Sequence, residues 1–184
     1  MKTMKKLLYV LFLVTSFGAL TSCEQDDDEK NQPATEDVPL ILPKINQENN
    51  AFVLGDPSST YAFRVELDRR GVDVASVEVY KTYAGATVFT PRVLHTTLTT
   101  FPSEVSVTLA DAVQGFTVPD PENPEAEAPL DVSLVEEGDI IIFTFEVVRT
   151  DGRRIVYTPL DASGSITGTQ IFEPFAAWAN VVAP

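Results

Sequence analysis

The chain has 184 residues and carries 13 Lys and Arg against 27 Asp and Glu, a net charge of −14. Binding nucleic acid requires phosphate neutralisation by clustered Lys and Arg; Arg69-Arg70 and Arg153-Arg154 are isolated pairs beside turn residues, which excludes nucleic acid and argues against other polyanions. A single cysteine and a single histidine exclude a disulfide framework and a Cys- or His-rich metal centre.

Residues 1–22 read as an export signal. Lys2, Lys5 and Lys6 give a positive start, followed by the mostly apolar stretch Leu7–Leu20 (LLYVLFLVTSFGAL). That run is shorter than the roughly 20 residues a helix needs to cross the hydrocarbon core, so it predicts a cleaved signal and not a permanent span. Leu20-Thr21-Ser22-Cys23 fits a lipobox, in which small side chains admit the peptidase and the free thiol accepts diacylglycerol. A lipid anchor on Cys23 is expected, because each buried methylene contributes about 0.8 kcal/mol and bacterial lipoproteins carry more than one chain. Acylation would consume the cysteine, leaving no thiol for catalysis.

Cleavage would remove three lysines and no acid, leaving 10 basic and 27 acidic side chains in 162 residues, a net −17. Residues 23–44 begin with Cys23-Glu24-Gln25-Asp26-Asp27-Asp28-Glu29 and stay polar to Asp37. Low hydrophobicity and like charge predict an extended, disordered tether. Acids placed directly after the lipidated cysteine resemble the surface-export signal of Bacteroidota lipoproteins, which implies the outer face of the outer membrane.

Residues 45–184 are long enough for one domain with a real core. Their apolar residues recur with period two. Tyr61, Phe63, Val65 and Leu67 alternate with Ala62, Arg64 and Glu66; Val77 and Val79 alternate with Glu78 and Tyr80; Val105, Val107 and Leu109 alternate with Ser106 and Thr108. Ile141, Phe143, Phe145 and Val147 make the most apolar strand, with Thr144 and Glu146 on its other face, and Asp151-Gly152 turns it into Arg153–Thr158. Strands are also expected at Ala51–Leu54 and Val88–Thr99, and a helical turn at Leu109–Phe116. About seven short strands joined by hairpins predict an all-β fold, an antiparallel Ig-like β-sandwich. Residues 117–137 interrupt the pattern: Pro119–Pro129 (PDPENPEAEAP) holds four prolines and four acids, and reads as an acidic loop serving as a spacer.

Three segments carry a family likeness: Val77-Glu78-Val79-Tyr80; Gly138-Asp139-Ile140-Ile141-Ile142-Phe143 running into Thr150-Asp151-Gly152-Arg153; and Gly164-Ser165-Ile166-Thr167-Gly168 with Phe172-Glu173-Pro174-Phe175. Together they resemble small Bacteroidota surface lipoproteins encoded beside Sus-like transporter pairs, in which a TonB-dependent channel works with a nutrient-capturing lipoprotein lid. The resemblance implies an accessory role in uptake of glycans or other nutrients, and it transfers no binding residue. In those relatives a cysteine tends to follow a pair of valines after the Phe-x-x-Pro-Phe segment; here Val181-Val182 are followed by Ala183-Pro184.

Candidate chemistry is sparse. His95 sits in a strand-like run and reads as an ordinary strand or edge histidine. Carboxylates are plentiful, yet they fall in the tether, the proline loop and turns, which points to solubility before a hydrolytic pair. Neither Asp26-Asp27-Asp28 nor Asp120–Glu127 has the spacing of a calcium loop, and no metal or other cofactor is expected. Stacking on a sugar needs an exposed aromatic face; Tyr80, opposite Val77 and Val79, is the first candidate, Trp178 the second and Tyr83 a weaker third, with packing of Phe172, Phe175 and Trp178 onto the sandwich as the competing role. The leading expectation is a non-enzymatic, surface-exposed lipoprotein with a ligand-binding or accessory role in nutrient uptake. A structural or adhesion module comes second, and a glycoside hydrolase last.

Overall fold

The computed structural model describes residues 38–123, 125–162, 165–167 and 176–184. The export signal, Cys23, the acidic segment after it and the Phe172–Phe175 segment lie outside the described residues.

The fold is all-β and sandwich-like. One sheet has three strands in the order β1 (Leu40–Ile45), β3 (Thr60–Asp68) and β6 (Ser103–Thr108), all antiparallel. The other runs in the order β2 (Ala51–Val53), β11 (Ala176–Val182), β9 (Ile140–Arg149), β4 (Val74–Ala84) and β5 (Val93–Leu98), with β10 (Arg154–Val156) also pairing β9. A separate ribbon pairs β7 (Thr117–Pro119) with β8 (Glu127–Pro129). Helix α1 (Leu109–Val113) follows β6, its first turn capped by the Thr108 hydroxyl, which accepts from the Asp111 amide.

Alternation along the strands directs the core. Tyr61, Phe63 and Val65 of β3 are fully buried and meet Phe143 and Phe145 of β9 across the interior. The rings of Tyr61 and Phe143 stack at 5.7 Å, and Phe63 lies 5.2 Å from Phe143. These contacts hold the two sheets face to face.

Four features depart from the sequence expectation. Strand β1 begins at Leu40, inside the stretch assigned to the tether, because Ile41 is apolar enough to bury completely; Pro43 is accommodated since β1 is an edge strand. Strands β2 and β11 pair in parallel, the exception among antiparallel ladders, which is possible because they are remote in sequence and no hairpin dictates their direction. Strand β9 is buried on both faces from Ile141 to Val147, Thr144 and Glu146 included. Finally, the proline-rich stretch contributes the β7–β8 ribbon, pinned at its base by buried Val118 and Leu130. These short additions bring the described strands to eleven, against about seven expected.

Candidate functional site

The outer face of the larger sheet carries a charge network. The register places Glu78 opposite Glu146 and Tyr80 opposite Thr144. Two like charges side by side would repel, and two arginines resolve this. Arg154 binds Glu78 with both terminal nitrogens, at 2.5 and 3.0 Å, and reaches Glu146 at 3.1 Å. Arg92 bonds the other oxygen of Glu146, and both of those side chains are under 10 % exposed. Hydrogen bonds from Arg154, then from the Tyr80 hydroxyl, hold the Glu78 carboxyl below its ordinary pKa.

Tyr80 therefore sits inside this network. Its hydroxyl donates to Glu78 at 2.7 Å, and the Arg92 guanidinium lies 4.3 Å from its ring centroid. Burial, then the bond to Glu78, raises its phenol pKa. A cation over a tyrosine ring is a favourable pairing, and it occupies a face on which a sugar would stack. Trp178 lies on the same sheet face, opposite Ile142, and is 37 % exposed. Ile142 is buried with Ile166 and Ala176, and Leu160 packs alongside. Tyr80 and Trp178 are thus on one face but in different surroundings, the first ionic and the second apolar.

A pocket with mixed chemistry lies elsewhere, at one end of the sandwich. It has a volume of about 390 Å³, within the range of small-ligand sites. Three segments enclose it: the connection after β4 (Gly85–Val88), the β7–β8 ribbon through Val118, Pro119 and Pro121, and the stretch from Leu130 to Asp139. The ribbon is stiffened where it borders the pocket. Asp120 accepts from the Glu122 amide at 2.8 Å and its own amide donates to Ala126 at 2.9 Å, while the Thr117 hydroxyl donates to Glu127 across the strands. The proline-rich stretch is a wall of this pocket and not merely a spacer.

On the pocket lining, the Tyr83 hydroxyl donates to Asp139 Oδ2 at 2.5 Å, and the same oxygen accepts from the Glu136 amide at 2.7 Å. Both side chains are at least 95 % buried. Burial, then the adjacent carboxylate, pushes the Tyr83 phenol far above its ordinary pKa. Asp139 is fixed from behind: its carbonyl accepts from Val181, and the Gly138 amide donates to Val181. Gly85 is required at the mouth, since a Cβ there would come within 2.9 Å of the Tyr83 hydroxyl. Asp139 carries no local sequence signal of its place in the pocket, standing as one acid beside a glycine ahead of β9; Tyr83, the third of the aromatic candidates, is the one that lines this pocket.

Between the sheets, Lys81 turns inward and is 4 % exposed. Its ammonium donates to the Asp111 carbonyl of α1 at 2.5 Å and lies 5.3 Å from the Phe116 ring. Burial lowers its pKa to about 8. His95 is the residue skipped where the β4–β5 register shifts, and its ring meets Phe143 edge-on at 6.0 Å. Burial, then nearby Lys81, lowers the His95 pKa. Among the described residues, no group of three or more His, Cys, Asp or Glu converges on one point, and no helix is long and apolar enough to cross a membrane.

Comparison with protein-family models, curated proteins and solved structures finds no match.

Proposed function

We propose that the chain is a lipoprotein held through Cys23 to the outer face of an outer membrane, where its β-sandwich serves as a non-enzymatic binding module of a nutrient-uptake system. The observation that carries the binding role is the loop-end pocket, enclosed by three separate segments and floored by the Tyr83–Asp139 pair. Binding sites concentrate on loops held by a rigid scaffold, and the five-strand path behind this pocket is such a scaffold. Asp139 is tied by Tyr83 and the Glu136 amide, an arrangement suited to holding a ligand donor in a fixed place. The lipobox and the acids after Cys23 support the location. The family resemblance supports a TonB-dependent channel and its lipoprotein lid as partners.

The test is a pull-down of the tagged full-length protein from gently solubilised outer membranes. Recovery of a channel and its lid supports the uptake role; a protein that remains with the inner membrane sinks it.

A second reading, an adhesion or assembly module, is favoured by β5. It is an edge strand of six residues whose Leu94 is 50 % exposed, so its free side could accept a partner strand. Concentration-dependent self-association, abolished by Leu94→Lys, would select that reading.

A further inference from the structure

We infer that the loop-end pocket takes an organic cation, a ligand bearing an ammonium group on a short apolar body. This rests on the reading of the pocket as a binding site and names the chemistry it selects.

The polar lining is an acceptor set. Asp139 Oδ2 is saturated by two donors, but Oδ1 of this 96 % buried carboxylate takes no hydrogen bond from any described residue. That oxygen is left for water or a ligand donor to serve, on a carboxylate otherwise packed into the fold. The Tyr83 hydroxyl has spent its proton on Asp139, so its oxygen offers only lone pairs to a ligand. Glu136, exposed, adds a second carboxylate to the lining, and among the described residues no Lys, Arg or His lines the pocket. An anionic ligand would meet two carboxylates and no cation to balance them. An ammonium brings up to three donors and a charge, so it can serve the open oxygen, the tyrosine oxygen and Glu136.

The rest of the lining suits the apolar body. Val88, Pro119, Leu130 and Leu134 supply aliphatic surface. Among the described residues, the one aromatic side chain lining the pocket is Tyr83, a residue 95 % buried that offers little face for a pyranose. A sugar would thus find acceptors without a stacking platform, whereas an alkylammonium matches both halves of the wall. The net negative charge of the chain would also raise the local concentration of cations.

The experiment uses the purified full-length lipoprotein in detergent, titrated with n-butylammonium, n-butanol and methyl α-glucoside while amide NMR signals of Gly85, Glu136 and Gly138 are followed. The inference expects butylammonium to shift these signals and to bind at least about ten-fold more tightly than butanol, the scale of a charge-assisted hydrogen bond. Asp139→Asn should erase that preference. Glu136→Gln, at an exposed position, should weaken butylammonium severalfold and keeps the test readable if the Asp139 variant does not fold. Shifts produced by the glucoside and not by butylammonium would overturn the cation inference and leave the binding-module reading standing. Equal affinity for butanol and butylammonium would overturn it as well. Silence of the pocket signals toward all three probes would remove both the cation inference and the pocket as the binding site.

Discussion

Tyr83 and Asp139, 56 residues apart in sequence, meet through a 2.5 Å hydrogen bond at the end of the sandwich, and that bond joins β4 to the turn leading into β9. The pair has a structural cost that can be measured. Tyr83→Phe keeps the ring and removes one of the two donors to Asp139 Oδ2. A loss of about 1–3 kcal/mol in urea unfolding is expected, the penalty of a buried acceptor left short. An unchanged midpoint would mean that water replaces the hydroxyl.

Gly85 gives a second handle on the same contact. Gly85→Ala places a methyl against the Tyr83 hydroxyl, at 2.9 Å before relaxation. The packed ring has little room to withdraw, so the Tyr83–Asp139 bond should lengthen or break. The expected outcome is a loss of stability comparable to that of Tyr83→Phe, with little further loss when the two substitutions are combined. Simple additivity in that double-mutant cycle would show that Gly85 acts through something other than the Tyr83 hydroxyl, such as the ring carbons that phenylalanine keeps at 3.1 and 3.2 Å from the same position.

The buried pair on the outer face predicts strong coupling. Glu146→Leu leaves Arg92 buried without its carboxylate, and about 3–5 kcal/mol should be lost. Arg92→Met should cost less, because Arg154 still reaches Glu146 at 3.1 Å. Combining both exchanges removes the buried charges together and should recover much of the loss. Denaturant midpoints of the two single variants and the double variant provide the check, and a double variant worse than Glu146→Leu alone would refute the account.

Much of the fold was legible because β3, β4, β6 and β9 obey strict alternation: Phe63, Val79, Val107 and Phe143 all point where period two places them. The second burial of β9 was not legible. Glu146 looks like a solvent-facing residue until Arg92 and Arg154, 54 and 8 positions away, are brought over it. The pocket was hidden for a related reason. A turn acid such as Asp139 and a loop rich in proline carry no local signature of burial; only the long-range pairing of β4 with β9 puts Tyr83 beside that acid. Period two places Tyr80 opposite Val77 and Val79, where the register puts it, but periodicity says nothing about a guanidinium above its ring.

Lys81 gives a pH dependence whose sign is fixed by its burial. Its folded pKa is lowered to about 8, from a model-peptide value near 10.4. Below pH 8 the amine is protonated in both folded and unfolded chains, and the full cost of holding the charge between α1 and Phe116 is borne. Between pH 8 and about 10.4 the unfolded chain keeps the proton that the folded chain has released, so this group makes stability rise with pH. The rise amounts to about 3 kcal/mol at most, following the free-energy equivalent of each pKa unit. Lys81→Met abolishes it while filling the same space. The comparison to make is the stability difference between the two proteins at pH 7 and at pH 10, since titration of other groups cancels in that difference. It should move in favour of the lysine protein as pH rises. A difference that stays constant would mean that the Asp111 carbonyl, 2.5 Å from the ammonium, compensates the burial and keeps the amine charged throughout.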